Sequence, residues 1–194
     1  MVGHRSERRL PTTPPSKASR AAPAIVAPMT PETSDSALQA LAAGIGEAAR
    51  LNHHMLVTAE SCTGGWIAKT LTDIAGSSAW FECGIVAYSY EAKQALLSVR
   101  PQTLEQFGAV SRETVIEMVS GALANTGATV AVAVTGIAGP GGGTEDKPVG
   151  TVWIAWKRRG GYPRAEAFHF DGGREAVRRQ TVAAALHGLE TLTV

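Results

Sequence analysis

Two cysteines in 194 residues, Cys62 and Cys83, are too few for a disulfide framework or a four-ligand zinc site. A reducing, cytoplasmic compartment suits such a chain. No apolar run approaches the ~20 residues of a membrane helix, and the amino-terminal stretch lacks the apolar segment of a secretory signal. Histidine is sparse, and His4, His53, His54, His169 and His187 show no ligand spacing. An excess of one charge is missing too. Eighteen Lys and Arg oppose 17 Asp and Glu, a net +1, so nothing global directs the chain to nucleic acid or to a membrane surface. No repeat of solenoid period runs through it. What is present is a 44% hydrophobic, 18% charged composition, of a size to bury one substantial core.

The charge balance hides an asymmetry. Residues 1–28 hold five basic residues against one acid, Glu7, and five of the ten prolines, leaving 13 basic and 16 acidic residues for the rest. A segment so rich in Pro, Arg and Ser buries too little apolar surface to offset its ordering entropy. The expected organisation is a disordered leader over residues 1–32 and one domain over residues 33–194. An Arg-rich, acid-poor leader is loosely like an organelle transit peptide, but its prolines oppose an amphipathic helix. The other expectation is a true start at Met29, where the composition turns globular.

Within the domain, Leu38, Leu41, Ile45 and Ala48 follow helical spacing behind the capping candidates of "TSDS". "HMLVTA" reads as a buried strand, residues 65–75 as a helix, and "FECGIVAYSY" as a strand rich in aromatic and β-branched residues. "EAKQALLSV" predicts a short helix and "RPQTLEQFGAV" a loop with room for a turn of helix. Ser111 caps a helix running to Leu123. "ATVAVAVTG" has the unbroken apolar character of a strand buried on both faces. A glycine-rich loop follows, then strands "TVWIAWK" and "AEAFHF" around a hairpin, and a closing helix over residues 173–192. This order predicts a three-layer α/β/α sandwich on a mixed sheet, parallel early and antiparallel late.

Chemistry gathers at three places. "TAESCTGG" sits where a strand hands over to a helix, and Ser61 there can project its hydroxyl from the sheet's carboxyl edge. The amides of residues 62–65, Thr63 and Gly64 among them, lie at the helix start, able to receive charge developing on a carbonyl oxygen. The plainer alternative is that Ser61 or Thr63 only caps the helix. In "VAYSYEAK", Tyr88 and Lys93 are five residues apart and can converge on the same edge. A desolvated lysine makes a base and a tyrosine can relay a proton; otherwise they are an interface tyrosine and a solvated lysine. The loop "TGIAGPGGG" places Gly136, Gly139, Gly141, Gly142 and Gly143 where amides are open to a phosphate. Arg174, opening the last helix, can add a cation to it. Read plainly, these are a crossover loop and a solvated first-turn residue.

Together, "TAESCTGGWIAKTLTDIAGSSAWF", "GIVAYSYEAKQALLSV", "FGAVSRETV", "AVAVTGIAGPGGGTEDKPVGTVWIA" and the arginines of the last helix resemble the CinA C-terminal domain family over about residues 36–193. The resemblance implies an amidohydrolase that releases ammonia from nicotinamide mononucleotide to give nicotinate mononucleotide, in pyridine-nucleotide salvage and NAD metabolism. It implies Ser61 as nucleophile with Tyr88 and Lys93 as activating partners. Thr63, Gly64, Ser78, Thr135, Gly136, Gly139 and Arg174 would bind substrate. No metal or organic cofactor is implied. The expected partners are a small-molecule nucleotide and a second copy of the chain, with neither nucleic acid nor membrane. Trp66 and Tyr90 are bulkier than the family's usual residues at those places. The family also suggests a second class of function, a non-catalytic nucleotide-sensing module of the competence- and damage-inducible type.

Overall fold

The structure, a computed structural model, describes residues 32–194, so the leader expected over residues 1–32 lies, but for Glu32, outside the described residues. Six helices and five strands follow in the order α1 (Asp35–Leu51), β1 (Leu56–Glu60), α2 (Trp66–Thr72), β2 (Phe81–Val86), α3 (Tyr90–Leu97), α4 (Pro101–Phe107), α5 (Arg112–Ala124), β3 (Val130–Gly136), β4 (Thr151–Arg158), β5 (Arg164–His169) and α6 (Arg174–Thr193). Serines start three of the helices: the hydroxyls of Ser34, Ser89 and Ser111 accept the amides of Ala37, Ala92 and Thr114.

The sheet order is β2-β1-β3-β4-β5. β1 runs parallel to both β2 and β3, whereas β4 and β5 are antiparallel additions. β3 shows how one strand serves two layers. Val130, Val132 and Val134 join the core built with α1, α2 and α6, and Ala131 and Ala133 join the one built with α3, α4 and α5. Period-two alternation alone sends the larger side chains one way and the smaller the other.

Two local expectations need correction. Residues 101–107, read as a loop with room for a turn of helix, form the seven-residue helix α4. Pro101 opens it, where its fixed φ suits the helix and its missing N–H costs nothing, and Thr103 and Leu104 are buried. The helix expected over residues 65–75 ends at Thr72. Among the described residues no helix is long and apolar enough to cross a membrane.

For function, the parallel core β2-β1-β3 matters most. Its three carboxyl ends lie side by side, and Ser61, Tyr88 and the glycine-rich loop all leave from them.

Candidate active site

The turn after β1 carries Ser61, whose amide donates to the Val134 carbonyl of β3 (3.1 Å) and so continues the sheet one residue past the strand. Its side chain meets Lys93. The Lys93 ammonium nitrogen donates to Ser61 Oγ at 3.0 Å, to the Ala87 carbonyl at 2.8 Å and to the Tyr88 carbonyl at 3.3 Å. Ser89 caps α3, which places Lys93 one turn in and lets its stem run back under the end of β2. Lys93 is 1% exposed and Ser61 8%. Loss of water around the amine lowers the Lys93 pKa from its ordinary 10.5, with nearby Cys62 as a smaller opposing influence. No carboxylate forms an ion pair with it among the described residues. A buried lysine held by a serine and two carbonyls is equipped to exchange a proton with that serine. The neighbouring thiol is not a rival nucleophile: burial pushes Cys62 up to about 12, leaving it a neutral S–H.

Neither Ser61 nor Thr63 caps α2. Gly65 holds the cap position at φ 95°, a left-handed conformation that glycine adopts without strain. The capping group is Glu60. Fully buried at the end of β1, its carboxylate accepts from the amides of Gly65 (3.0 Å), Ile67 (3.1 Å) and Ala68 (2.8 Å). It also accepts from the hydroxyls of Thr63 (2.6 Å) and Thr58 (3.2 Å). The Gly64 amide turns back to the Ser61 carbonyl (3.1 Å). Of the four amides over residues 62–65, those of Gly64 and Gly65 are therefore engaged. Only those of Cys62 and Thr63 have no acceptor in another residue among the described residues. Glu60→Ala should lower unfolding stability by on the order of 3 kcal/mol or more, since it strands buried amides at the helix start. Denaturant unfolding checks this; a loss below about 1 kcal/mol, the size of an ordinary cap, would mean that water replaces the carboxylate.

Arg174 joins the other two loops. Its guanidinium donates to the Gly139 carbonyl (2.8 Å) and to the Tyr88 hydroxyl (3.0 Å). Tyr88 thus approaches Lys93 through its carbonyl alone. Its phenol accepts from Arg174 and makes no hydrogen bond to Ser61 or Lys93 among the described residues, and Tyr88 is 59% exposed. Thr135 is buried next to Ser61 along the edge, and its hydroxyl donates to the Ala109 carbonyl (2.9 Å). Gly136 ends β3, and Gly139, at φ 81°, turns its carbonyl to Arg174. Of the other glycines read as a phosphate nest, Gly142 takes positive φ and Gly141 and Gly143 do not. Tyr90 opens α3 and its hydroxyl accepts the Ala109 amide (3.3 Å).

Ser78 does not join this group. It lies exposed in the 3-10 turn Ser77–Ala79 that leads into β2. Phe81, the first residue of β2, pairs with Leu56, the first of β1, so Ser78 belongs to the amino edge of the sheet and Ser61 to the opposite one. Two residues unassigned from the sequence do join it: Glu60, and Arg178 of α6. Arg178 donates to the carbonyls of Cys62 (3.1 Å) and Thr63 (2.6 Å). An acid just before a helix start and an arginine four residues after Arg174, on the same helix face, are the signals that could have found them. Among the described residues no group of three His, Cys, Asp or Glu side chains is placed to hold a metal ion.

The family model described as the CinA C-terminal domain matches residues 38–193. The nicotinamide-nucleotide amidohydrolase PncC of Escherichia coli (strain K12) is 54% identical over 158 residues, which cover 80% of this chain and 94% of the relative. The protein of the same name from Pseudomonas putida is 54% identical over 152 residues, 78% of this chain and 94% of its own length. Among solved structures, the competence/damage inducible protein CihA from Agrobacterium tumefaciens superposes with a TM-score of 0.77 at 48% identity, covering 83% of this chain and 97% of that one.

Proposed function

Since the chain belongs to the CinA C-terminal domain family, we propose that it is an amidohydrolase that converts nicotinamide mononucleotide and water to nicotinate mononucleotide and ammonia through an acyl-enzyme on Ser61. The relatives named for that activity support the substrate. The observation that carries the mechanism is the buried 3.0 Å contact between Lys93 and Ser61.

In its neutral form the Lys93 amine accepts the Ser61 hydroxyl proton as Oγ attacks the carboxamide carbon. The amides of Cys62 and Thr63 receive the resulting oxyanion. The tetrahedral species collapses as the Lys93 ammonium gives its proton to the departing nitrogen, releasing ammonia and leaving an ester on Ser61. Water attacks that ester while Lys93 accepts its proton. Ser61 leaves with that proton, and nicotinate mononucleotide is free. Tyr88 contributes its carbonyl, which holds Lys93, and a phenol that accepts from Arg174. Ammonia release across a panel of nicotinamide mononucleotide, nicotinamide riboside, nicotinamide and glutamine tests the reading. The mononucleotide is expected to give the highest kcat/KM, and release confined to another amide would sink it.

The glycine loop and Arg174 are the proposed phosphate anchor. The guanidinium spends two donors on Gly139 and Tyr88 and has others to offer a phosphate oxygen. Arg174→Ala should weaken the mononucleotide by about 1.5–3 kcal/mol. It should leave the riboside, which has no phosphate, almost unchanged. KM and kcat for both compounds check this, and equal losses would mean that Arg174 shapes the pocket and the phosphate is held elsewhere.

A further inference from the structure

We infer that Arg178 is a positioning residue for this reaction, one that orients and polarises the peptide whose amide takes the oxyanion. The inference rests on the serine acyl-enzyme reading above and names a residue that reading leaves idle. Arg178 comes from α6, far along the chain, yet its guanidinium lies against the turn that carries the nucleophile. Nε donates to the Cys62 carbonyl at 3.1 Å and one terminal nitrogen to the Thr63 carbonyl at 2.6 Å. The same guanidinium lies 5.4 Å from the centre of the Trp66 ring, at the start of α2, which restricts its plane.

The Cys62 carbonyl and the Thr63 N–H belong to one peptide group. A charged donor on that oxygen withdraws electron density from the amide and strengthens its N–H as a donor, since hydrogen bonds in series polarise one another. The Thr63 N–H is also one of the two amides of the turn with no acceptor in another residue among the described residues. The other fixings of the turn complete the frame. Glu60 pulls on Thr63 Oγ1 and the Gly65 amide, and the Gly64 amide closes on the Ser61 carbonyl. Carboxylate and guanidinium thus meet at Thr63 through opposite groups, Glu60 taking its hydroxyl and Arg178 its carbonyl. Arg178 touches neither Ser61 Oγ nor Lys93 among the described hydrogen bonds, so it acts through the turn. It is also distinct from Arg174, which holds the glycine loop one helical turn earlier.

The test is a steady-state comparison of wild type, Arg178→Lys, Arg178→Ala and Ser61→Ala on nicotinamide mononucleotide and nicotinamide riboside. The folded fraction is fixed by near-ultraviolet circular dichroism and melting temperature. Arg178→Ala should lose kcat by an order of magnitude or two, less than the 10²–10³-fold typical of deleting an oxyanion donor itself. KM should hold, the loss should be the same for both substrates, and the pH midpoint of kcat should not move. Arg178→Lys should keep the fold but recover little, because an ammonium cannot bridge both carbonyls in the plane of a fork. Added methylguanidinium should restore part of kcat to the alanine variant. Wild-type kcat per folded molecule in both variants overturns the assignment, even if melting temperature falls. So does a loss confined to KM for the phosphorylated substrate, which would make Arg178 a phosphate ligand. Retained activity in Ser61→Ala removes the acyl-enzyme reading and this assignment with it, whereas an inactive Ser61→Ala beside fully active Arg178 variants removes this assignment alone.

Discussion

Ser61→Ala is expected to reduce ammonia release by roughly 10²–10⁴-fold or more, the range for losing a nucleophile or its proton-transfer partner. The fold should tolerate it. Removing one hydroxyl leaves the Lys93 amine with the Ala87 and Tyr88 carbonyls, so no buried charge is stranded. The Ser61 amide keeps its bond to Val134, and Glu60 continues to hold the start of α2. Binding of the mononucleotide should therefore change little, and the loss should fall in kcat. Calorimetric affinity alongside steady-state kinetics separates the two. Near wild-type release from Ser61→Ala would mean that water attacks the amide directly.

Lys93 carries the second large effect. Lys93→Met keeps most of the stem in a site almost closed to solvent and removes the base, so turnover should collapse by a comparable factor. Its cost to stability is the two carbonyls it leaves without a donor, about 1–3 kcal/mol each, partly offset by removing an amine that burial disfavours as a cation. Lys93→Arg should not restore activity, because a guanidinium stays protonated at any working pH. On the proposed mechanism the active species in wild type is the neutral amine. As pH falls through the Lys93 midpoint the amine gains a proton and kcat/KM must fall; as pH rises through it, kcat/KM must climb and level off. Burial sets that midpoint below the ordinary lysine value of 10.5. Recovery in the arginine variant, or a rate that falls as pH rises through this range, would show that Lys93 supplies charge and not basicity.

Ser61 and Lys93 were readable because their placement depends on short-range rules. A strand that ends at a turn rich in glycine puts its next side chain on the carboxyl edge, and a serine-capped helix puts Lys93 one turn in. The parallel early part of the sheet followed from alternation of strand and helix, and the antiparallel end from a short hairpin. What escaped reading depended on contacts across the chain or on competition between groups. Arg178 acts on a turn 115 residues away, and only the packing of α6 brings it there. Glu60 outcompetes the hydroxyls as the cap because a buried carboxylate can take several amides at once. Tyr88 sits where spacing puts it, but Arg174 claims its hydroxyl. Ser78 fell outside because a parallel strand must be entered from the edge opposite to the one where Ser61 lies. α4 was read as no more than a turn of helix, because seven residues opened by a proline show little apolar periodicity.

The covalent intermediate is where these claims meet. Enzyme turning over nicotinamide mononucleotide is quenched in acid at intervals from the first turnover onward, digested, and the peptide bearing Ser61 weighed by mass spectrometry. The expected result is a transient gain equal to nicotinate mononucleotide less one water, located on Ser61 and absent from Ser61→Ala. Ammonia released in full from wild-type enzyme whose Ser61 peptide stays unmodified at every quench time would contradict it.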